Sequence, residues 1–587
     1  MNSSSLSVPA YSQPQESEPI CYTLTETKDG WHYMDSEGNI LQEQLIPYQR
    51  IQPLVGASGE TNRFPARYDM REEGLLTSVK KQNGNTCWAY SSIGAIESNM
   101  IKKGMGDSTL DLSEAHLLWF SRGQGSPADP SHPLYGDGLC NGIAAYKGSG
   151  NIYTVTGTLA AWQGVVFEDS VPTPAEEVEL DESVRFCSEA HLQNTRKYAR
   201  EDMNSIKEDL LNFGAMHVTY YSMNEPKCLS EKSGYYQTGY VIGGDHSNLS
   251  GGLHGVVLVG WDDHFSKDNF IETPPGDGAW IVRNSWGEKS TNTEKGYIYI
   301  SYYDQSLQNF YMYDMEPTDN YSGIYQYDGD SSVSYTSGGG SDTGFLQANV
   351  FKAAKDENLT AVGFYTNDVS MPYEATVYAL EPDYTTPCDG TVLTETAGEE
   401  QYIGYHTVPL PAGCFVREGQ YFSVVIKTAQ RLGTTCHFDQ HCFAPRTSYY
   451  TTYNSQTTKE WKDCYEKKRG NVNVKAYTTD GLGLCEECCP DPLIREQLAA
   501  QYDTNGDLIV TDSELEAALK NELTGDINAD GCVDARDLTL LKRAVLALQE
   551  TGNDYHWFMG DLNKDYVLDA EDVSVMIDML LNAQEQS

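Results

Sequence analysis

A cysteine at the start of a predicted helix is the feature that most constrains this chain. It lies in the segment Asn85-Thr86-Cys87-Trp88-Ala89, and the next residues place Ile93, Ile96 and Met100 on one helical face. At a helix N-terminus, the dipole and the unpaired N–H groups favour the thiolate, which is the reactive form of a cysteine. The position therefore predicts a nucleophile, although a lone cysteine is most often a buried structural residue.

A cysteine nucleophile needs a histidine base, and the chain offers His246, His254 and His264. His254 directly precedes an apolar run at 255–261, which predicts a strand with His254 at its end. The next predicted strand, 279–283, leads into Asn284-Ser285-Trp286-Gly287. An asparagine beside the imidazole would fix its tautomer and orientation, and Trp286 could shield that bond from water.

These segments resemble the papain family of cysteine peptidases, which carries Cys, His and Asn in this order. The resemblance implies an α+β papain-like domain with Cys87 as nucleophile, His254 as base and Asn284 as its orienting partner. It also implies an oxyanion hole made by Gln82 and the backbone N–H of Cys87. The spacing between Gln82 and Cys87 is one residue shorter than in the family.

Further segments resemble the same family. Residues 64–69 resemble the start of the mature enzyme, and 112–117 resemble the helix that follows the nucleophile helix. Ser149-Gly150-Asn151 resembles the segment whose backbone pairs with the substrate, which implies a substrate-binding role for Gly150 and, beside the base, for Trp286. A transglutaminase-type acyl transferase also uses Cys and His, but the Asn284-Ser285-Trp286-Gly287 motif argues against it.

With 587 residues the chain is too long for one hydrophobic core, and its patterns change along its length. The predicted fold class is multidomain: an α+β peptidase, an all-β sandwich and an all-α calcium-loop module. The predicted boundaries are an N-terminal extension or short pro-segment at 1–62, the peptidase at 63–315, a β-sandwich at 316–480, a Cys/Pro linker at 481–495, an EF-hand-like unit at 496–525 and a dockerin at 526–585.

Residues 316–480 contain short alternating runs separated by turns, which predicts a β-sandwich. The region resembles the lectin-like domain of some bacterial papain-type enzymes, so carbohydrate is a possible ligand by resemblance only. Eight of the 14 cysteines fall between Cys388 and Cys489. Disulfides in a secreted protein and free thiols are both open, and the run Cys436 to Cys442 allows a local disulfide or a zinc site.

Three acidic loops repeat one ligand pattern near the C-terminus. Oxygen-bearing side chains occupy loop positions 1, 3, 5, 9 and 12 and a backbone carbonyl occupies position 7, which suits Ca²⁺. The predicted ligands are Asp503, Asn505, Asp507, Ile509, Thr511 and Glu514 in loop 1; Asp526, Asn528, Asp530, Cys532, Asp534 and Asp537 in loop 2; and Asp561, Asn563, Asp565, Val567, Asp569 and Asp572 in loop 3.

Loops 2 and 3 resemble a dockerin, and loop 1 resembles an EF-hand added in front of it. A dockerin implies a cohesin partner on a scaffold protein, as in a cellulosome that degrades polysaccharide. The Ca²⁺ is expected to be structural, and no cofactor is expected for catalysis. Only Gly531 supplies glycine at position 6, whereas Leu508 and Tyr566 occupy that position in the other loops.

The net charge of −45 disfavours nucleic acid and anionic membranes as partners, and no apolar run is long enough for a membrane span. The first residues lack the features of a signal peptide, so we expect either a cytoplasmic protein or a mature extracellular form. Two functions compete: an active peptidase acting on proteins or peptides within a cell-surface complex, and an inactive papain-fold binding protein. The complete Cys87, His254 and Asn284 set favours the peptidase.

Overall fold

The computed structural model describes the chain with gaps. It covers two strands near the N-terminus and residues 64–122, 146–174, 178–223, 228–240, 251–328, 344–411, 414–429, 444–453, 458, 460–467 and 470–485. In the C-terminal region it covers 495, 498–500, 502–511, 514, 517, 525–527, 532–533, 535–545, 560, 562 and 570–585. All statements below refer to these residues.

The N-terminal extension contains two antiparallel strands. The peptidase region then alternates helices and strands, as the sequence predicts. The elements are β1 (Thr23–Thr27), β2 (Gly30–Met34), β3 (Arg67–Asp69), α1 (Met70–Glu73), α2 (Cys87–Lys102), α3 (Glu114–Arg122), α4 (Ile152–Ala160), β4 (His191–Tyr198), α5 (Met203–Phe213), β5 (Met216–Met223), β6 (Gly234–Tyr235), β7 (Gly251–Asp262), β8 (Ala279–Arg283), β9 (Tyr297–Ser301) and β10 (Gln308–Glu316).

The region after β10 is built from strands. They are β11 (Gly323–Tyr325), β12 (Gly344–Lys352), β13 (Glu357–Thr366), β14 (Met371–Leu380), β15 (Gly390–Glu400), β16 (Gly404–Pro409), β17 (Phe415–Val416), β18 (Tyr421–Thr428), β19 (Ser448–Tyr453), β20 (Lys462–Asp463) and β21 (Val474–Thr479). A six-stranded sheet, ordered β15-β14-β18-β12-β19-β20, packs its buried side chains against those of β13 and β21. This two-layer arrangement matches the predicted sandwich.

The helix after the nucleophile positions a large part of the peptidase core. Ile93, Ile96 and Met100 are buried, as the apolar spacing predicts, and α2 packs on β5, β7 and β10. In the sheet, β5, β7, β8 and β9 are antiparallel neighbours, with Tyr220 opposite His254. Burial of the helix face against the sheet fixes the start of α2 beside the exposed end of β7.

One sheet runs through both regions. Its order is β11-β21-β13-β16-β4-β10-β5-β7-β8-β9-β6, so strands of the second region extend the peptidase sheet. The junction is made by the pairs His406–Asn194 and Lys197–Ile403, and the backbone N–H of Tyr405 donates to Thr195 Oγ1 at 2.7 Å. The two predicted domains are therefore joined through backbone pairing, which their separate sequence patterns did not predict.

The C-terminal region adds β22 (Leu482–Gly483), β23 (Ile509–Val510), α6 (Ala535–Val545) and α7 (Ala570–Glu585). Strand β23 lies within loop 1 and pairs with β22 at the end of the second region. Helices α6 and α7 bury Leu541 and Met576 against Ile527. Among the described residues no helix is both long and apolar enough to cross a membrane.

Candidate active site

Cys87 is the first residue of α2, as predicted, and Thr86 is its N-cap. The Thr86 hydroxyl donates to Asn83 O at 2.7 Å, so it ties the cap to the preceding turn and does not cover the helix end. Burial raises the pKa of the Cys87 thiol, while the backbone N–H groups of Gly255 and Trp88 lower it by donating toward the sulfur. The helix start and the neighbouring strand β7 thus both supply donors that favour a thiolate.

His254 and Asn284 are brought together by neighbouring strands. His254 Nε2 lies 2.9 Å from Asn284 Oδ1, and both side chains are buried. Burial lowers the pKa of His254 to about 4, whereas the bond to Asn284 raises it. Because Nε2 faces the asparagine, the other ring nitrogen, Nδ1, is left for a partner across the site.

Gly255 connects the base to the nucleophile. A Cβ built on Gly255 would lie 3.2 Å from Cys87 O and 2.7 Å from Ser91 Oγ. The strand that carries His254 therefore packs directly on the first turn of α2, and only a residue without a side chain allows this approach. Burial favours the neutral thiol of Cys87 and the neutral imidazole of His254. Formation of a thiolate and an imidazolium therefore depends on the attraction between these two ions.

Trp286 covers the imidazole. Its ring stacks on His254 with centroids 4.7 Å apart and an interplanar angle of 21°, while 41% of the Trp286 surface stays exposed. Tyr220 packs edge-on to the same imidazole at 5.8 Å. The two aromatic rings pack on the imidazole from two directions, and the shielding of its bond to Asn284 by Trp286 stays a prediction.

Gln82 lies beside this group despite its shortened spacing from Cys87. Its backbone N–H donates to Ser285 O at 2.8 Å, and its Oε1 accepts from Ser285 Oγ at 2.5 Å. Its Nε2 donates to Gly84 O at 2.9 Å. Ser285, which sequence reasoning did not single out as a partner of Gln82, thus orients the amide so that its NH₂ group lies on the side of the Gly84 turn.

Gly150 lies against the nucleophile segment. A Cβ at Gly150 would come within 2.4 Å of the Trp88 ring, and Trp88 Nε1 donates to Gly148 O at 3.0 Å. Close packing on the indole therefore requires glycine here and leaves the backbone of this segment at the site. Its predicted role in binding substrate stays a prediction.

A charge cluster with two buried glutamates lies beside the nucleophile helix. Lys80 Nζ lies 2.9 Å from Glu97, 2.8 Å from Glu114 and 2.7 Å from Asp111. Arg283 donates to Thr77 O at 2.8 Å beside this cluster. Through Lys80, the cluster ties the irregular segment before Gln82 to Glu97 of α2 and Glu114 of α3. Sequence reasoning missed it because a lysine near two distant glutamates carries no local signal.

Other predicted candidates lie away from the site or outside the described residues. His264 sits in a turn, where its backbone N–H donates to Asp262. His246 lies outside the described residues, as do the run 436–442 and Cys488 and Cys489. Cys388 and Cys414 are described as thiols, so the disulfides considered for this region are not found at these two positions.

Loop 1 has a defined shape. Glu514, at position 12, accepts from the backbone N–H groups of Thr504 at 2.8 Å and Thr511 at 3.1 Å, while Asp503 accepts from Gly506 at 2.7 Å. Leu508, at position 6, has φ +62°, the left-handed conformation usually given to glycine. The sequence marked this position as costly for a side chain, and the chain nevertheless adopts it.

The three loops share one closing contact. The position-12 carboxylate accepts from the backbone N–H at position 2: Glu514 from Thr504 at 2.8 Å, Asp537 from Ile527 at 2.9 Å and Asp572 from Leu562 at 2.7 Å. Asp526 and Cys532 of loop 2 are described, whereas Asn528, Asp530, Asp534, Asp561, Asn563, Asp565, Val567 and Asp569 lie outside the described residues. No cluster of three His, Cys, Asp or Glu side chains in ligating geometry occurs within the described parts. The predicted ligands of loop 1 offer carboxylate, amide, hydroxyl and backbone carbonyl oxygens, which are ligands that Ca²⁺ prefers.

Comparison with known protein families divides the chain into three parts. Residues 64–316 match the papain family cysteine protease model, 324–478 match the lectin-like domain model and 524–581 match the dockerin type I model. Among curated relatives, cathepsin S of Bos taurus is 25% identical over 254 residues, which cover 42% of this chain and 64% of that protein. Cathepsin K of Mus musculus is 25% identical over 284 residues, which cover 46% of this chain and 72% of that protein.

Solved structures extend the match across two of these parts. The clostridial cysteine protease Cwp84 after propeptide cleavage has a TM-score of 0.55 and 24% identity, covering 71% of this chain and 99% of that chain. The second structure contains the cysteine protease and lectin-like domains of Cwp84, a surface layer associated protein of Clostridium difficile. It has a TM-score of 0.54 and 24% identity, covering 72% of this chain and 91% of that chain. At this identity the likeness shows the fold alone.

The region around Cys87, His254 and Asn284 is thus a papain-family cysteine peptidase domain. The chain as a whole joins this peptidase to a lectin-like domain and a C-terminal dockerin domain, which confirms the predicted resemblance and the multidomain fold class.

Proposed function

We propose that this protein is a secreted peptidase that hydrolyses peptide bonds through Cys87, His254 and Asn284. The observation that carries the proposal is the 2.9 Å contact between His254 Nε2 and Asn284 Oδ1. The strand that carries His254 also packs on the first turn of α2, where Cys87 lies. This arrangement gives a nucleophile at a helix start, a base beside it and an orienting group behind the base.

The first half of the reaction is acyl transfer to the enzyme. The proton of the Cys87 thiol passes to His254, and the resulting thiolate attacks the carbonyl carbon of the scissile peptide, whose oxygen becomes negatively charged. Collapse of this intermediate breaks the C–N bond, and His254 gives its proton to the departing amine. The products of this half are a thioester on Cys87 and a free amine.

The second half releases the acid. Neutral His254 takes a proton from a water molecule, whose oxygen attacks the thioester carbonyl. The C–S bond then breaks, the carboxylic acid leaves and Cys87 is restored as the thiolate beside protonated His254. Asn284 keeps the imidazole aligned through both halves because its Oδ1 accepts from Nε2.

Both halves place a negative charge on the substrate oxygen. The backbone N–H of Cys87 is one donor, and the Gln82 amide, oriented by Ser285, is the second. Gln82 Nε2 donates to Gly84 O at 2.9 Å, which uses one of its two hydrogens. The remaining hydrogen is available for the oxyanion.

The dockerin domain implies a cohesin partner and thereby attachment to a scaffold protein outside the cell. The likeness in fold to a surface layer associated protein supports an extracellular or cell-surface location. Ca²⁺ would be held by the oxygen ligands of the three loops, where its charge offsets the repulsion between their carboxylates. Carbohydrate binding by residues 316–480 stays a prediction.

Cleavage of a peptide library by the full-length protein tests the proposal and reveals its side-chain preference. The wild type is expected to cut a defined set of sequences, with or without a calcium chelator. The Cys87→Ala variant should cut none of them. A folded wild-type protein that cleaves nothing would instead support the inactive binding protein.

A further inference from the structure

A second buried histidine lies behind the nucleophile and has no part in the reaction described above. His217 is on β5, and β7 lies between β5 and β8, the strand that Asn284 follows. Only 1% of the His217 surface is exposed. On β7, the residue that pairs with His217 is Val257, three residues after His254. A polar ring in such a position needs a hydrogen-bonding partner, because burying it without one is costly.

The partner is Ser91, and through it the ring reaches Cys87. His217 Nδ1 lies 2.7 Å from Ser91 Oγ, and Ser91 Oγ lies 2.7 Å from Cys87 O. A hydroxyl has one hydrogen and a carbonyl only accepts, so both contacts are hydrogen bonds when Ser91 donates to Cys87 O and His217 donates from Nδ1. The chain thus runs from the sheet to the peptide group of the nucleophile.

The same atoms enclose Gly255. A Cβ on Gly255 would lie 2.7 Å from Ser91 Oγ and 3.0 Å from His217 Cε1. His217 therefore touches both sides of the site: the first turn of α2 and the strand that carries His254. A shift of this ring would alter the separation between these two elements.

The His217 ring is expected to be neutral near pH 7. Burial, together with a smaller effect of the nearby His254, lowers the pKa of His217 to about 3. A neutral ring holds Ser91 without placing a second positive charge beside the imidazolium that forms at His254.

We propose that His217 is a positioning residue that fixes Cys87 through Ser91, and this inference rests on the proposed peptidase function. Cys87 supplies both the attacking sulfur and one oxyanion donor, its backbone N–H. Both act in the transition state, so loss of their alignment should lower kcat and leave KM nearly unchanged.

Two variants separate positioning from packing. His217→Leu keeps a similar volume but removes the donor, whereas His217→Asn keeps an N–H near the place of Nδ1. In full-length protein we expect His217→Leu to lower kcat about tenfold, with KM within about twofold, and His217→Asn to restore most of the loss. Alkylation of Cys87 by iodoacetamide should slow in the same order.

Ser91→Ala provides a second route if His217→Leu does not fold. It removes the link itself, so it should reproduce the loss in kcat, and combining the two changes should add little. The inference is overturned if His217→Leu and Ser91→Ala keep wild-type kcat and alkylation, or if His217→Asn is as impaired as His217→Leu. Failure of the proposed function looks different, because the wild type itself would then cleave no peptide, or Cys87→Ala would cleave peptides as fast as the wild type.

Discussion

The peptidase site and the calcium loops are built in opposite ways. Cys87 starts a helix, His254 lies within β7 and Asn284 follows β8, so the fold brings together three residues that are distant in sequence. Each proposed calcium loop draws its predicted ligands from twelve consecutive residues, and each closes with one contact between positions 12 and 2. The proposed chemistry of the first region thus depends on long-range packing, whereas the second region would be ordered by the proposed Ca²⁺ ion. The predictions below test this difference.

The largest effect is expected at the nucleophile. Cys87→Ala should reduce peptide turnover by roughly 10⁵-fold or more, with an unchanged circular dichroism spectrum, because no other group can form the thioester. His254→Ala should be nearly as severe, and Asn284→Ala milder because it orients and does not react. Cys187→Ala, which removes an exposed thiol, is the matched control and should keep full activity. Turnover that survives Cys87→Ala would show that the assigned nucleophile is wrong.

The oxyanion donor comes next. Gln82→Ala should lower kcat roughly 10²–10³-fold if its amide binds the developing charge. Ser285→Ala should cause part of this loss, because Ser285 Oγ holds Gln82 Oε1 at 2.5 Å. Steady-state kinetics on one peptide measures both variants. If Gln82→Ala keeps the wild-type kcat, the shortened spacing has taken this residue out of the reaction.

The buried histidines predict a loss of stability in acid. Burial lowers the pKa of His116 to about 4, while in the unfolded chain its pKa stays at the ordinary histidine value of 6.5. The unfolded state therefore binds more protons between these values, so this stabilisation is present above pH 6.5 and is lost as the pH falls toward 4. For this ring we expect a loss of about 2 kcal/mol between pH 6.5 and 5.

Urea unfolding at the two pH values measures this effect. His116→Gln removes the titrating ring but keeps a side chain that can donate to Val184 O, which His116 Nε2 contacts at 2.8 Å. The variant should show a smaller difference in free energy of unfolding between the two pH values. An unchanged difference would mean that His116 does not contribute to the acid sensitivity.

Calcium should act on the C-terminal loops and leave the peptidase alone. In calorimetry of the full chain, Ca²⁺ at about 100 times its Kd should stabilise the C-terminal transition by about 2.7 kcal/mol. Asp572→Asn should weaken this response, since Asp572 closes loop 3. Hydrolysis of a small soluble peptide should be the same with and without chelator. Melting that is indifferent to chelation would refute the loop assignment.

The smallest effect concerns the direction of cohesin binding. At loop positions 10 and 11 the two dockerin repeats carry Ala535-Arg536 and Ala570-Glu571, and these side chains are exposed. The helices that follow carry Lys542-Arg543 in one repeat and Ile577-Asp578 in the other. Opposite charges on a pseudo-symmetric surface should penalise one orientation.

Binding measurements with a cohesin module that recognises the wild type test this asymmetry. We expect either Arg536→Glu or Glu571→Ala, but not both, to weaken binding about tenfold or more. Small and equal losses from each change, with a large loss only in the double variant, would show that two orientations are interchangeable.

The sequence predicted what is local and missed what is long-range. The helix start at Cys87 and the strand before Asn284 depend on neighbouring residues, and each is found where the pattern places it. The ligand spacing of loop 1 stays a prediction. The bond from Ser285 to Gln82 and the pairing of Lys197 with Ile403 join distant segments and depend on sheet register, which a single sequence does not reveal.

The central claim is that this fold activates the thiol of Cys87, and labelling tests it most directly. Full-length protein would be treated with a thiol-directed epoxide, digested and mapped by mass spectrometry, with His254→Ala as the comparison. The account predicts that Cys87 alone is labelled, one label per chain, in step with the loss of peptide hydrolysis, and that labelling is lost in His254→Ala. Equal labelling of Cys87 and the exposed Cys187, or labelling of Cys87 that persists in His254→Ala, would contradict it.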